Sequence, residues 1–497
     1  MNKIYSDKKI LLVYPRYKET FWSFGTVLKI IGKKAAYPPL GLLTVSAMLP
    51  KKWEKKLIDM NCEILKDEDI KWADYIFISA MLIQKESTKK VISKVQSLGK
   101  PVVAGGPLFT TGYEDFPEVD HLILGEAEDT LQLFLDDLKK GSPKKIYFTE
   151  KFPNITKSPV PDWSLINASR YNSLSIQYSR GCPFNCEFCD VVRLNGRIPR
   201  YKTTEQIINE LEALYNIGWQ NGVFFVDDNF IGNKKNVKKE ILPAIIDWQK
   251  KKGRPFTFNT QASINLADDD KLMKLMVKAG ITAVFVGIET PDTDSLKETG
   301  KLQNVNRDLL QSVKKIQNIG MEVQAGFIVG FDCDRLTIFQ RQIDFIQKSG
   351  IVTAMVSVLT ALPKTRLYER LVKTNRLTKE ATGNNTKSSE LNFIPKMGVE
   401  NLLNGHQKIL DAIYSPRLYY ERIKTFTKQY KPMKGKMARL RLYHIKAFFT
   451  SIWVLGIKRR GRFYYWKLFI WSFFRHPKLF PYVIGMSVIG MHFSAVS

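Results

Sequence analysis

The stretch SRGCPFNCEFCD, residues 179–190, decides how the rest of this sequence is interpreted, because it holds three of the chain's five cysteines within eight residues. Cys182, Cys186 and Cys189 follow a CxxxCxxC spacing, so three thiolates from one short loop can converge on one inorganic centre. Thiolates are natural ligands of iron–sulfur clusters, and a four-iron cluster held by three of them keeps one iron open for another ligand. A structural zinc ion is the alternative interpretation. It normally requires a fourth Cys or His, and the other two cysteines and all five histidines lie far away in sequence.

Length and composition indicate a folded, intracellular protein of several domains. The 497 residues correspond to about three domains. A content of 44% hydrophobic and 12% aromatic residues excludes a mainly disordered or fibrous protein. An odd number of cysteines, most of them crowded into one motif, is typical of a reducing compartment. The apolar run before Arg16 is five residues long, which is too short for a signal peptide, so we expect a cytoplasmic location.

Residues 1–140 alternate short apolar runs with helical patterns, which predicts a doubly wound α/β domain with five parallel strands. The predicted strands are 10–14, 55–59, 75–79, 101–104 and 121–124. Ligand crevices in such domains open at the carboxyl ends of the strands. The candidate ligand-binding residues at these ends are Ser79, Gly105, Gly106, Gly125 and Glu126. Tight turns that need glycine at positive φ are the alternative explanation for the glycines.

Residues 141–170 hold four prolines and no sustained periodicity, which predicts a linker. Alternation of strands and helices resumes over 171–380 and predicts a partial (β/α)6 barrel, followed by a helical region over 381–497. The predicted barrel strands are 173–179, 223–227, 256–262, 283–289, 323–329 and 354–359. Since barrel chemistry lies at the carboxyl ends of the strands, Asp228 and Glu289 are candidate site residues.

The last 82 residues, 416–497, are both basic and aromatic. They carry 17 Lys and Arg against one acid, Glu421, and 19 of the chain's 59 aromatic residues. Basic residues interleaved with Trp, Tyr and Phe suit a bilayer surface, so we expect a peripheral membrane face. Single-stranded nucleic acid and a basic helical subdomain packed on the core are the alternatives. The uncharged run 479–497 contains Pro481, three serines and His492, which weakly supports a membrane span.

The cysteine motif, with Phe188 just before Cys189 and its place after the first strand of a six-unit barrel, resembles the radical S-adenosylmethionine (SAM) superfamily. The resemblance implies a [4Fe-4S] cluster on the three cysteines, whose open iron binds SAM and whose electron cleaves it to a 5′-deoxyadenosyl radical. It also implies that SAM lies against the barrel strand ends, with contacts from Phe188, Asp228, Glu289, Gly326 and Gly330. The sequence departs from the family at Asp227-Asp228-Asn229, where Gly-Gly-Glu is usual.

The N-terminal domain resembles the cobalamin-binding domain that precedes the barrel in one branch of the superfamily. The matching segments are YPPLGLLTVSAML, FISAM and VVAGGP. The resemblance implies that cobalamin is bound by Ser79, Gly105, Gly106, Gly125 and Glu126. His121 lies in no Asp-x-His-x-x-Gly motif, so we do not expect a histidine below the cobalt. The whole layout most resembles the hopanoid C-2 methyltransferase type.

This resemblance implies an enzyme that transfers a methyl group, through cobalamin, to an unactivated carbon of an apolar, lipid- or pigment-like substrate. A one-electron donor such as flavodoxin or ferredoxin is the implied partner, and the inner face of the cell membrane is the expected location. A cobalamin-dependent rearrangement without methyl transfer is one alternative. A radical SAM enzyme that modifies RNA is another, but such methylthiotransferases carry a second cysteine triplet where this chain has only Cys62. Nucleic acid is therefore not the expected partner.

Overall fold

The computed structural model describes residues 7–384, 386, 390–432 and 442–496. Two six-stranded parallel sheets dominate these residues, and a short antiparallel hairpin accompanies them. The strands in chain order are β1 (Lys9–Tyr14), β2 (Glu54–Asp59), β3 (Tyr75–Ser79), β4 (Val102–Gly105), β5 (His121–Ile123), β6 (Ile146–Tyr147), β7 (Leu174–Ile176), β8 (Ser179–Arg180), β9 (Arg200–Tyr201), β10 (Gly222–Phe225), β11 (Thr257–Gln261), β12 (Ile281–Glu289), β13 (Glu322–Val329) and β14 (Ala354–Val358).

The first sheet has the strand order β2-β1-β3-β4-β5-β6, and all of its pairings are parallel. β1 is apolar at successive positions because both of its faces are covered. Ile10 and Leu12 pack into one hydrophobic cluster, and Leu11 and Val13 into another. The helices of this domain are α1 (Gly25–Ile31), α2 (Leu40–Met48), α3 (Asp67–Trp72), α4 (Lys85–Ser97), α5 (Pro107–Gly112) and α6 (Ala127–Lys140). The prediction of a doubly wound domain is confirmed.

The segment predicted as a linker, 141–170, contains the sixth strand of the first sheet. β6 pairs with β5 through Ile146 and Tyr147, and Tyr147 is buried. A strand of two residues has no periodicity that a sequence pattern can detect, so the prediction missed it. Further along, Ile155 and Trp163 are buried, so this segment packs against the molecule. The domain limits at 140, 170 and 380 stay predictions.

The second sheet has the order β14-β13-β12-β11-β10-β7 and is open, because its two edge strands are β14 and β7. Its six strands were predicted to within a few residues, and the open-barrel prediction is confirmed. The helices around it are α7 (Val191–Asn195), α8 (Thr204–Asn216), α9 (Lys234–Asn236), α10 (Leu242–Lys251), α11 (Asp270–Ala279), α12 (Thr293–Glu298), α13 (Leu309–Ile319), α14 (Ile338–Ser349) and α15 (Arg366–Lys373). A π-helical turn, Val237–Ile241, links α9 to α10.

The C-terminal region is helical where the structure describes it, as predicted. Its helices are α16 (Val399–Ile413), α17 (Pro416–Gln429), α18 (Leu442–Ser451), α19 (Arg462–Arg475) and α20 (Phe480–Val496), and a π-helical segment, Ile452–Lys458, continues α18. α16 and α17 pack on α14 of the barrel, and α18 and α20 pack on α1 of the first domain. The basic stretch 433–441 lies outside the described residues.

One helical stretch among the described residues, Pro477–Val496, is long and apolar enough to cross a membrane. However, 56% of its most apolar window is buried inside the protein. It contacts α1, α17 and α19, and His492 within it is fully buried. The helix therefore packs as a core element of the C-terminal region.

Candidate functional site

The cysteine loop follows β8 and is held by two neighbouring carboxylates that follow β10. Asp227 accepts hydrogen bonds from the backbone amides of Tyr178 (3.1 Å) and Ser179 (2.5 Å), and burial raises its pKa to about 7. Asp228 accepts from the amide of Gly181 (2.8 Å) and from the side chain of Asn195 (3.0 Å). Asp228 was predicted as a SAM contact. In the structure, its Oδ2 atom accepts both of these hydrogen bonds and so fixes the backbone next to Cys182.

The three thiols lie close enough together to influence one another. Burial raises the pKa of Cys182 and Cys189, and the neighbouring Cys186 thiol raises both further. Cys186 is buried, and the amide nitrogen of Gln303 lies 3.9 Å from its sulfur. The three thiols are therefore neighbours in the fold, and their role as the ligands of one cluster stays a prediction.

Lys301 places a cation beside these thiols and forms an ion pair with Glu289 at 2.7 Å. Burial alone would lower the pKa of Lys301, but Glu289 and the Cys186 thiol outweigh burial, so the net shift is upward. Glu289 ends β12 with a left-handed backbone, φ 62°, which is unfavourable for a non-glycine residue. Asn304 fixes this bend by donating to the carbonyls of Gly287 and Ile288, both at 3.0 Å.

The donor set fits a cluster and SAM. Among the described residues, no three Cys, His, Asp or Glu side chains lie close enough to hold a single metal ion. A four-iron cluster binds each thiolate through a different iron, so its ligands do not need to converge on one atom. The buried ammonium of Lys301 and the carboxylate of Glu289 offer one charge of each sign, which suits the carboxylate and ammonium groups of an amino acid such as SAM.

Of the other predicted SAM residues, only Gly326 is shown close to this pair: a Cβ added to it would lie 4.0 Å from the Glu289 carboxylate. A Cβ added to Gly326 would lie 3.1 Å from the ring of Phe285, so the absence of a side chain at Gly326 lets this ring pack against the sheet. The ring of Phe188 lies 6.0 Å from that of Phe331. Gly330 has φ 109° and donates to Asp334, and a Cβ there would meet Leu402 of α16 at 2.9 Å. Gly330 is therefore needed where the chain packs on α16.

The predicted cobalamin residues lie together at the carboxyl edge of the first sheet. Ser79 and Gly105 are register partners at the ends of β3 and β4. Gly106 follows with φ 88°, and a Cβ there would come within 2.5 Å of the Ser79 hydroxyl. Gly125 lies beyond β5, and a Cβ on it would meet open space. The backbone is therefore open to a large ligand such as cobalamin at Gly125, whereas Gly105 and Gly106 are glycines because the chain packs there on Ile123 and Ser79.

Glu126 joins this edge to the cysteine loop. Its carboxylate pairs with Arg180 at 2.7 Å and with Arg200, and Arg180 also pairs with Glu128 at 2.8 Å. All four side chains are at most 17% exposed. Burial lowers the pKa of Arg180, but Glu128 and Glu126 outweigh burial, and the net shift is upward. Glu126, which was predicted to bind cobalamin, thus forms ion pairs with two arginines of the barrel.

Sequence reasoning missed Lys301, Arg180 and Arg200. Arg180 lies two residues before Cys182 and Lys301 ends the segment GIETPDTDSLKETGK, but in a chain with 76 Lys and Arg no single cation stands out. Only the fold brings Lys301, 112 positions after Cys189, against the thiols.

Models of known families match both domains and the C-terminal region. A model of the B12 binding domain matches residues 31–135, and a model of the radical SAM superfamily matches residues 176–334. A third model, a domain of unknown function (DUF4070), matches residues 365–497.

One relative and one solved structure extend the match to nearly the whole chain, and a second relative covers three quarters of it. An uncharacterized methyltransferase of Synechocystis sp. is 40% identical over 98% of this chain and 91% of its own length. The hopanoid C-2 methylase of Rhodopseudomonas palustris is 37% identical over 75% of this chain and 71% of its own. The cobalamin-dependent SAM radical enzyme OxsB, solved with aqua-cobalamin and SAM bound, has the same fold, with a TM-score of 0.64 and 17% identity over 98% of this chain and 79% of that one.

The radical SAM domain implies a [4Fe-4S] cluster and SAM, and the B12 binding domain implies cobalamin. Enzymes of this kind also need an electron donor. The chain belongs to the cobalamin-dependent radical SAM methyltransferases.

Proposed function

We propose that this enzyme methylates an unactivated carbon of an apolar, lipid- or pigment-like substrate that it meets at the inner face of the cell membrane. The observation that carries the proposal is an exposed apolar and basic surface on the C-terminal helices, here called the aromatic face. The 37% identical relative is named for a hopanoid, which supports the same substrate class.

The aromatic face has a regular pattern. Along α18 and its π-helical continuation, exposed apolar side chains recur every four residues, so they form one stripe. The stripe consists of Ile445, Phe449, Trp453 and Ile457. α19 adds Phe463, Ile470, Phe473 and Phe474, each more than half exposed. A soluble surface seldom exposes so many large apolar side chains together.

Exposed cations surround the aromatic face. They are Lys446, Lys458, Arg460, Arg462, Lys467, Arg475 and Lys478. Between described residues, no ion pair ties any of them to an acidic side chain. Lysines and arginines near anionic headgroups contribute about 1 kcal/mol each, and aromatic rings favour the same interfacial depth. The aromatic face therefore suits binding to the surface of an anionic bilayer better than binding to a water-soluble partner.

We assign the cofactor sites as follows. Cys182, Cys186 and Cys189 would hold the cluster, Glu289 and Lys301 would bind the amino acid part of SAM, and the edge at Ser79, Gly105, Gly106 and Gly125 would bind cobalamin. When bound, the cluster and SAM supply the means to remove a hydrogen atom from carbon, and cobalamin supplies the methyl group. A one-electron donor such as flavodoxin or ferredoxin would serve the cluster.

The chain's own residues do the positioning. Lys301 neutralises a carboxylate in a site where burial strengthens the attraction. Asp227 and Asp228 hold the cysteine loop rigid through backbone amides. Arg180 and Glu126 tie that loop to the edge of the first sheet. Reactive groups held at fixed distance and away from water are what such chemistry requires of the protein.

The activity is tested with anaerobically purified protein, methyl-deuterated SAM, a chemical reductant and cobalamin. A membrane lipid and pigment extract and an aqueous metabolite extract are supplied in parallel. We expect a deuterium-labelled methyl group in an organic-soluble product from the first extract. Label that appears only in aqueous metabolites would refute the apolar substrate.

Membrane binding is tested by flotation with anionic and with neutral vesicles. We expect the full-length protein to float with anionic vesicles and to lose this at high salt, because exposed charges are screened. Phe449→Ser combined with Trp453→Ser should abolish flotation. The matched control changes Ile64 and Ile198, exposed apolar residues elsewhere, to Ser and should float normally. Equal loss in both variants, or no flotation of the wild type, would refute the membrane face.

A further inference from the structure

We propose that a small, acidic one-electron carrier protein docks on the surface around Ile198, here called the docking surface, and delivers its electron to the cluster at Cys182. The docking surface has an apolar centre and a cationic margin, and it consists of Lys151, Phe152, Arg193, Arg197, Ile198 and Lys235. The inference rests on the proposed function, which calls for such a donor, and deepens it by assigning the donor a binding place.

The segment 195–198 lies directly on the chain at the first cysteine. The amide of Cys182 donates a hydrogen bond to the carbonyl of Gly196 at 3.1 Å. A Cβ added to Gly181 would come within 3.2 Å of three carbonyl oxygens in this segment. The side chain of Ile198 is nevertheless exposed. One layer of backbone therefore separates the chain at Cys182 from the outside of the protein.

The opposite side of the cysteine loop, between the second and third cysteines, is covered by other segments. The amide of Glu187 donates to the carbonyl of Thr299 at 2.8 Å, and the carbonyl of Glu187 accepts from the amide of Leu367 at 3.1 Å. The carboxylate of Glu187 pairs with Arg370 of α15 at 2.6 Å. A carrier that approaches there meets the barrel loops and α15, whereas on the side of the first cysteine it meets a single stretch of backbone.

The centre of the docking surface is apolar. Ile198 is 82% exposed and Phe152 is 45% exposed. The ring of Phe152 packs on the segment that covers the first cysteine, since a Cβ added to Gly196 would lie 2.7 Å from this ring. Protein interfaces combine an apolar centre with a polar rim. Electron-transfer complexes bury less than about 1,200 Å², so a few exposed side chains suffice.

The surroundings of this centre are cationic. Nine Lys and Arg and one acid, Glu150, belong to three segments of the sequence, which are 150–152, 191–202 and 229–239. The third segment adjoins the second, since a Cβ added to Gly232 would lie 3.3 Å from Pro199. Four exposed cations among the nine form no ion pair with an acidic side chain of the described residues, and they are Lys151, Arg193, Arg197 and Lys235. Positive charge gathered in one place attracts an acidic protein and orients it before contact.

The transfer moves one electron and no atom. The reduced carrier gives up the electron, and the cluster on Cys182, Cys186 and Cys189 receives it. The rate of such a transfer falls steeply with distance, so the carrier needs to approach where the covering chain is thin. Charge attraction speeds the encounter without tight binding, which suits a carrier that must leave after each electron.

The first test uses full-length protein with its cluster, purified anaerobically, and reduced flavodoxin as the probe. A water-soluble carbodiimide joins carboxylates of flavodoxin to nearby lysines, and the cross-linked peptides are mapped by mass spectrometry. We expect cross-links at Lys151 and Lys235. The docking surface would be overturned by the absence of cross-links, or by cross-links confined to the lysines around the aromatic face or to Lys297 and Lys364, near the opposite side of the cysteine loop.

The second test compares the rates at which flavodoxin and a photoreduced deazaflavin, a small reductant that needs no docking, reduce the cluster, as followed by absorbance. Arg193→Glu combined with Arg197→Glu should slow reduction by flavodoxin about tenfold at low salt, because local attraction becomes repulsion. Reduction by deazaflavin and the iron content should stay as in the wild type. The matched control, Lys271→Glu with Lys274→Glu on α11, changes the net charge equally at exposed lysines and should slow flavodoxin less than about twofold.

A rate that stays high in Arg193→Glu with Arg197→Glu, or that falls equally in both double variants, would overturn the docking surface. Should Arg193→Glu with Arg197→Glu lose iron, Lys151→Glu with Lys235→Glu takes its place, since these lysines lie farther along the chain from the cysteines, and the same outcomes apply. None of these measurements needs a substrate or a membrane. Failure of docking therefore leaves the methylation proposal standing, and absence of a labelled product leaves the docking surface standing.

Discussion

The thiol of Cys186 is the most informative single atom in the molecule, because it is close to both other thiols and to Lys301. Cys186→Ala should abolish binding of iron and sulfide, since two thiolates from one loop cannot hold a four-iron cluster. Iron and acid-labile sulfide are measured after anaerobic reconstitution. Cys333→Ala, which removes an exposed thiol, should retain both. Full iron in Cys186→Ala would contradict the cluster assignment.

Asp332 shows how a single carboxylate makes stability depend on pH. Burial alone would raise its pKa, but hydrogen bonds from Arg376 and Arg370 outweigh burial and lower the pKa to about 2. The unfolded value is about 3.9, so the folded state gains stability above pH 4 and loses it as the pH falls toward 2. The full gain is about 2.6 kcal/mol for this shift.

Asp332→Asn should therefore destabilise the protein by about 2 kcal/mol at pH 7 and by about half as much at pH 3, because at pH 3 the carboxylate of the unfolded wild type is already mostly protonated. Urea unfolding at the two pH values measures both differences. Glu421→Gln, at an exposed carboxylate on α17, serves as the control and should show little effect at either pH. An equal effect of Asp332→Asn at both pH values would show that charge is not what stabilises this site.

Among the elements, α8 depends visibly on its first residues. Thr203 accepts a hydrogen bond from the amide of Gln206 at 3.2 Å, and the Gln206 side chain accepts one from the amide of Thr203 at 3.0 Å. Thr203→Ala should cost about 1 kcal/mol in the free energy of unfolding, because the amide of Gln206 loses its partner. Thr203→Ser keeps the oxygen and should restore most of the stability. Equal losses in the two variants would mean that the methyl group, and not the cap, matters.

The same helix illustrates what sequence can predict about elements. Its capping box, its apolar stripe and Gly218 beyond its end are local features, so their pattern can be recognised without knowledge of the fold. The strands of both sheets were likewise predicted from apolar runs. The strand β6 was missed because two residues carry no detectable periodicity. It is a strand because it pairs with the edge of the sheet at β5. Local sequence patterns thus predict helices and longer strands well, but they do not predict short strands at the edge of a sheet.

For the site, sequence spacing predicted the cysteine loop because its ligands are neighbours along the chain. Lys301 reaches this loop from a separate segment, and nothing local distinguishes it from other lysines. Glu126 was predicted to meet a cofactor from its position after Gly125, whereas its carboxylate pairs with arginines from the other domain. Contacts between domains are set by packing, so they become visible only in the folded molecule.

At the scale of the whole molecule, the network of Glu126, Glu128, Arg180 and Arg200 connects the edge of the first sheet, proposed to bind cobalamin, with the cysteine loop. Gly125 lies one residue from this network, and Cys182 lies two residues from Arg180. The connection between the two regions therefore depends on four side-chain charges that are at most 17% exposed. Breaking a buried pair by removing one partner is destabilising because it leaves the other charge unpaired.

Glu126→Gln should loosen this junction, since Arg200 loses its carboxylate while Arg180 keeps Glu128. We expect a loss on the order of 3 kcal/mol in the free energy of unfolding and faster amide hydrogen exchange over 179–190, with the interior of the first sheet unchanged. The double variant Glu126→Gln with Arg200→Gln should lose less stability than the sum of the losses in the two single variants. The reason is that the second change removes the charge that the first leaves unpaired. Glu118→Gln, at an exposed carboxylate of the same domain, should leave exchange as it is. If Glu126→Gln leaves exchange over 179–190 unaltered, the cysteine loop is held by its own carboxylates, Asp227 and Asp228, and the domain junction has no part in positioning it.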